Sequence, residues 1–151
     1  MPLDRAFLFQ GMSDESRQEV ARIAEEEFHE KGAFLFNAGD PAESLFILEE
    51  GRVRLSVRGA GHIAHIVSDS GDAIGWSSMA ENELYTASAE CLVPVRVLKI
   101  LNAELARILE NDPSSGISFY RRLAQLIGRR LVASYGATLS VHGQRDSRSW
   151  G

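Results

Sequence analysis

Between Lys31 and Ile100 no apolar run lasts long before glycine, aspartate, asparagine or proline interrupts it, and this punctuation limits the fold most. Asn37-Ala-Gly-Asp-Pro41, Glu50-Gly51, Gly59-Ala-Gly61, Asp69-Ser-Gly-Asp72 and Glu81-Asn-Glu83 are turn chemistry. Between them lie Ala33-Phe-Leu-Phe36, Ser44-Leu-Phe-Ile-Leu48, Arg52-Val-Arg-Leu-Ser-Val-Arg58 and Val93 to Ile100. Short strands spaced by about 8–12 residues predict a β-sandwich or barrel rather than alternating strands and helices.

In Arg52 to Arg58 the alternation puts Val53, Leu55 and Val57 on one face and Arg52, Arg54, Ser56 and Arg58 on the other. The last strand is expected to turn Val95 and Val97 inward and leave Arg96 and Lys99 to solvent. Cys91, the single cysteine, sits in an apolar run and reads as a buried small hydrophobe, so no internal disulfide forms.

Helical patterning flanks this region. Ser13 caps a helix predicted to run to about Glu30, with Val20, Ile23, Ala24 and Phe28 on one side and Phe7-Leu-Phe9 packed beneath. A second helix begins at Asn102 as N-cap and stops at Asn111-Asp-Pro113. A third is predicted from Ser114 to about Tyr135. On it Ile117, Tyr120, Ala124, Ile127 and Leu131 form a narrow apolar seam, Arg121, Arg122, Arg129 and Arg130 lie off the seam, and Phe119, Leu123 and Leu126 face the domain. A helix of ~20 residues is about 30 Å long, so homodimerisation along the seam is the economical reading. The expected organisation is residues 1–112 as the β-domain with its opening helix, 113–136 as the long helix and 137–151 as a mobile tail.

With 151 residues, 44% of them hydrophobic, the chain can build one domain with a real core. A formal charge of −5 argues against nucleic-acid binding by counterion release. No apolar run reaches the ~18 residues needed to span a bilayer and no signal sequence opens the chain, which predicts a cytoplasmic protein without a membrane partner. No Ser-His-Asp, Cys-His or phosphate-loop arrangement appears, so no catalytic residue is expected. His62 and His65 are three apart, the wrong spacing for one face of a strand, and no metal site is expected. His29 and His142 read as solvated.

Gly71-Asp-Ala-Ile-Gly-Trp-Ser-Ser-Met79 followed by Tyr85-Thr-Ala-Ser-Ala89 is framed like a cradle for a small anion. Gly75 lets a ligand approach the backbone, and the Ser77 and Ser78 amides would face a phosphate if they open a helix. The candidate ligand-binding residues are Gly75, Trp76, Ser77, Ser78, Tyr85 and Thr86. With Gly39-Asp40, Leu45-Phe-Ile-Leu48, Glu50-Gly-Arg-Val53, Gly71-Asp72, Gly75 and Thr86-Ala-Ser-Ala89 in this order, residues 7 to 135 resemble the cyclic-nucleotide-binding domain family.

The resemblance implies a mainly β fold, a jelly-roll-like double-stranded β-helix or β-roll with an N-terminal helix and a long C-terminal helix. It also implies a non-catalytic regulatory or sensor domain. Family members that bind cyclic AMP or cyclic GMP carry a glutamate for the ribose hydroxyl and an arginine for the cyclic phosphate at the positions of Trp76 and Tyr85. An indole cannot accept the first hydrogen bond and a phenol cannot neutralise the second charge, so the cradle reads as degenerate, with weak binding at most of a cyclic nucleotide or other small anionic ligand. Arg52, Arg54 or Arg58 are the candidates to replace the missing charge. Trp76 and Tyr85 either line a rebuilt pocket for another effector or fill the vacated cavity, and filling is the favoured reading.

Two alternatives stand beside a sensor: a constitutive interaction and dimerisation module, and the effector domain of a transcription regulator whose DNA-binding part is absent. The sixteen residues after Tyr135 are too few for a helix-turn-helix, so DNA binding by this chain alone is not expected.

Overall fold

The continuous apolar run Leu45-Phe-Ile-Leu48 is buried on both of its faces, and this places it at the centre of the molecule. A computed structural model describes residues 2–57, 64–80 and 83–142. Its strands are β1 (Glu25–His29), β2 (Phe34–Phe36), β3 (Ser44–Glu50), β4 (Val53–Val57), β5 (Ala64–Val67), β6 (Ala73–Ile74), β7 (Ala87–Cys91) and β8 (Val95–Leu101). Its α-helices are α1 (Asp14–Ile23), α2 (Asn102–Asn111) and α3 (Pro113–His142), and short 3-10 turns cover Pro2–Arg5, Phe7–Phe9 and Trp76–Ala80.

Two antiparallel four-stranded sheets, ordered β1-β8-β3-β6 and β2-β7-β4-β5, form the roll. Alternation along β3 sends Phe46 and Leu48 into the space between the sheets, with Phe36, Val53, Val95 and Val97. Leu45 and Ile47 point the other way, into a second core with Phe9, Val20, Leu105, Phe119, Leu123 and Leu126. The first sheet is thus covered by strands on one face and by helices on the other. The expected β-roll with flanking helices is the observed fold.

Three boundaries differ from the sequence reading. The opening helix stops at Ile23, and Glu25 to His29 form edge strand β1, paired residue for residue with β8 from Lys99 to Val95. A row of glutamates favours helix in isolation, but here it sets Glu27 3.7 Å from Lys99, at a sheet edge that charge protects. Phe28 is therefore 64% exposed instead of lying on a helix face, and His29 sits on that strand 3.0 Å from Glu27. Leu101, not Asn102, is the N-cap of α2, because the Asn102 amide donates to Glu43 O at 2.9 Å and its side chain to Ala42 O at 3.4 Å.

The third boundary is α3, which starts at Pro113 and runs to His142, past the expected end near Tyr135 and into the stretch expected to be a mobile tail. Proline is suited to the first helical position, and an internal glycine such as Gly136 costs only about 1 kcal/mol against alanine. Residues 143–151 of the expected tail, with Arg58 and His62, lie outside the described residues. On β4 the expected alternation weakens toward the end, where Val57 is 48% exposed.

Asp112, the single residue between α2 and α3, ties three helix ends together. Its Oδ2 accepts from Ser115 Oγ at 2.6 Å, Ser16 Oγ at 2.7 Å and Ser13 Oγ at 2.8 Å. Ser13 also caps α1 by accepting from the Ser16 amide at 3.1 Å, as its sequence position predicts. The Ser115 hydroxyl first, then those of Ser16 and Ser13, hold the Asp112 carboxyl well below the usual carboxylate range. The folded protein therefore protonates this group less readily than the unfolded chain does. Its stabilisation is complete above the unfolded pKa of about 3.9 and is lost as pH falls below it. Asp112→Asn is expected to unfold at lower denaturant concentration near neutral pH, with the gap to wild type narrowing progressively as pH falls below about 3.9 and still open at about pH 2. Urea titrations of both proteins at the two pH values check this.

Candidate functional site

The turn between β6 and the Trp76–Ala80 segment is built on Gly75, whose φ of +80° is a left-handed conformation that side chains resist. A Cβ at Gly75 would lie 3.0 Å from Phe36 Cε2 and 3.2 Å from Tyr85 Cε1. The backbone opening expected to admit a ligand is faced by two aromatic rings of the protein itself.

Tyr85 is held there from both ends. Its amide donates to Asp40 O and its carbonyl accepts from the Gly39 amide, each at 2.9 Å, which anchors it to the Asn37–Pro41 turn. Its side chain turns into the roll, 6% exposed, and its ring stacks on Phe36 with centroids 3.8 Å apart and planes 13° from parallel. The buried hydroxyl donates to Ser44 O at 2.7 Å and accepts from the Ser44 amide at 3.2 Å. Burial raises the phenol pKa, so it remains a neutral donor.

Trp76 goes elsewhere. It packs against the helix-side core, not the space between the sheets, and the guanidinium of Arg130 from α3 lies 4.5 Å from its ring centroid. Arg130 Nη2 also donates to Ala73 O at 2.6 Å. Burial pushes the Arg130 pKa down to about 10, with Asp72 opposing the shift, so the group stays cationic at neutral pH. Burial first and Arg130 second lower the pKa of His65, whereas burial raises that of Asp72. The expectation that Trp76 and Tyr85 fill one cavity together is corrected: Tyr85 enters the roll interior and Trp76 the helix interface.

Ser77 is buried, with its Oγ 3.5 Å from Thr86 Oγ1, and Thr86 is exposed. Ser77 and Ser78 lie within a five-residue 3-10 turn and do not open an α-helix. Among the arginines considered as replacement charges, Arg54 pairs with Glu90 across the outer face of the sheet at 2.6 Å. Phe36 and Arg130, the contacts that define the site, were not singled out by sequence reasoning. Phe36 offered one signal, an apolar residue directly before the Asn37-Ala-Gly-Asp turn. Arg130 offered none, since helical periodicity alone assigns it to a flank.

On α3 the structure separates the two sets of apolar residues. Phe119, Leu123 and Leu126 are buried against the domain, with Phe119 stacked on Phe9 at 5.8 Å. Along the seam Ile117, Tyr120 and Leu131 are 55%, 45% and 50% exposed, Ala124 is exposed and Ile127 is half-buried. Arg122 and Arg129 fold back over the Phe7 ring at 5.0 and 4.5 Å. Among the described residues no helix is long and apolar enough to cross a membrane, and no three acidic, histidine or cysteine side chains converge as metal ligands.

Two antiparallel four-stranded sheets, a glycine turn between β6 and the Trp76–Ala80 segment and a long final helix define the class of fold. The family profile described as Cyclic nucleotide-binding domain matches residues 26–112, and the chain belongs to this family. A protein of Geobacter metallireducens GS-15, whose name assigns it to cyclic nucleotide binding, has a crystal structure similar to this chain. The two are 31% identical with a TM-score of 0.72, over 82% of this chain and 91% of that one. The N-terminal domain of a transcriptional regulator from Streptomyces coelicolor A3(2) is 25% identical with a TM-score of 0.67, over 87% and 93% of the two chains. Among curated relatives, Glutaminase 1 of Bradyrhizobium diazoefficiens is 26% identical over 129 residues, covering 84% of this chain. The chain spans only about a fifth, 20%, of the length of that relative.

Proposed function

We propose that this chain is a non-catalytic regulatory domain whose cyclic-nucleotide cradle is closed by its own side chains and which acts as a homodimer through α3. The observation that carries the reading is Tyr85. At the position where the resemblance implies a phosphate-binding arginine stands a phenol with both hydrogen-bonding roles met by Ser44 and its ring stacked on Phe36. No charge is offered to a phosphodiester there, and the volume next to Gly75 is occupied. The exposed seam on α3 supports the dimer, since a row of apolar side chains at three- and four-residue steps matches a helix-pairing face. That this chain matches a portion of a much longer glutaminase and a domain of a transcriptional regulator fits a module that serves different outputs.

The energetic expectation is simple. Hydrogen bonds to charged groups contribute about 1.5–3 kcal/mol each, so losing two weakens a micromolar site toward the millimolar range, at about 1.4 kcal/mol per tenfold. Calorimetric titration with cyclic AMP and cyclic GMP is expected to give no submicromolar binding. In the variant Trp76→Glu with Tyr85→Arg, one of the two rings beside Gly75 is gone and a carboxylate and a guanidinium stand at the two positions where the resemblance implies them, so cyclic AMP affinity should rise by at least about tenfold. Submicromolar binding by the unmodified protein would sink the closed-cradle reading.

A further inference from the structure

We propose that Trp76 and Arg130 form a latch that fixes α3 against the roll in one position without any ligand. Two independent contacts converge on one guanidinium. Arg130 donates to Ala73 O at 2.6 Å and lies over the Trp76 ring at 4.5 Å, so it grips the turn Ala73-Ile-Gly-Trp76 from both sides of Gly75. The indole is available for this because it packs with the helix-side core instead of pointing between the sheets.

The position along α3 matters. The nearer turns are held by Phe119, Leu123 and Leu126 in the core and by Arg122 and Arg129 over Phe7. Beyond Arg130, Leu131 and Val132 are 50% and 61% exposed. Among the contacts described for α3, Arg130 makes the hold farthest along the helix, and a hold at this point fixes the helix against the turn at Gly75. Helix position becomes a property of the chain, because a side chain at the edge of the cradle clamps the helix. This does not require a cradle closed to nucleotides, so the latch and the binding reading fail separately.

Hydrogen exchange by mass spectrometry on the full chain tests the latch, in a Trp150→Phe background that leaves Trp76 as the only indole of the two tryptophans. Arg130→Gln should raise amide exchange across 119–133 by about tenfold or more, through loss of the desolvated cation–π contact and the charged hydrogen bond together, and Trp76→Leu, which loses only the first, should raise it by less. Exchange in β3 and β8 should not change. In Arg130→Gln the Trp76 emission should shift to the red, and Trp76→Phe, which keeps an aromatic face for the guanidinium, should retain most of the protection. Unchanged α3 exchange in Arg130→Gln would overturn the proposal, with or without a shift in emission. So would exchange that rises equally in β3, β8 and α3, which would make these contacts general packing. Should Trp76→Leu fail to fold, Arg130→Gln and Trp76→Phe carry the same test.

Discussion

Tyr85→Ala should lower the stability of the domain by about 3–5 kcal/mol, the range for truncating a buried aromatic side chain. For a chain of this size that corresponds to a fall in Tm of roughly 6–20 °C, at about 2–4 °C per kcal/mol. The physical content lies in the comparison with Tyr85→Phe. Phenylalanine keeps the stack on Phe36 and loses only the hydroxyl, which donates to Ser44 O and accepts from the Ser44 amide. Leaving those two buried backbone groups short of a partner costs about 1–3 kcal/mol. Thermal and urea unfolding of wild type, Tyr85→Phe and Tyr85→Ala should therefore fall in that order with distinct steps. If Tyr85 instead lined an open ligand pocket, its truncation would change stability by less than about 1 kcal/mol, as surface substitutions do. Equal stability of all three proteins would mean that the ring is not part of the core.

The same residue shows what the sequence could and could not disclose. Its chemistry was legible: a phenol cannot do the work of the guanidinium that the family resemblance, carried by the residues around Gly75 and Thr86, implies at this position. The partner was not, because Phe36 and Tyr85 are 49 positions apart and are brought together by the pairing of β2 with β7 and by the Asn37–Pro41 turn, where Gly39 and Asp40 bond the Tyr85 backbone. Trp76 was read as a second filling residue for the same reason. Spacing placed it at the cradle, but the tight turn at Gly75 directs it toward α3, which arrives from 54 positions later in the chain. Strands with alternating or continuous apolar runs, such as β3 and β8, were readable. β1 was not, since Glu25-Glu-Glu27 carries helix-favouring residues and becomes a strand only because β8 offers a ladder and Lys99 offers a charge. Local pattern thus located the elements whose burial is periodic, and tertiary pairing decided the rest.

The seam on α3 leads to the second large effect. Ile127→Asp or Leu131→Asp introduces a carboxylate into the proposed helix pair, and two-fold symmetry puts it there twice. Each chain would lose about 1.5–3 kcal/mol of apolar burial, so the pair would lose about 3–6 kcal/mol before like-charge repulsion is counted. That weakens association by roughly two to four powers of ten, at about 1.4 kcal/mol per power. Sedimentation at micromolar concentration should move from twice the chain mass to 16.6 kDa. The two sites are not equivalent, and the difference sharpens the test. Leu131 is half exposed, so its replacement should leave the fold intact, whereas Ile127 is half-buried and packs on the helix-side core, so its replacement should also lower the Tm. A variant at Leu131 with unchanged mass would refute this interface, because a pair built on this seam could not keep its mass with a carboxylate placed in it from both chains.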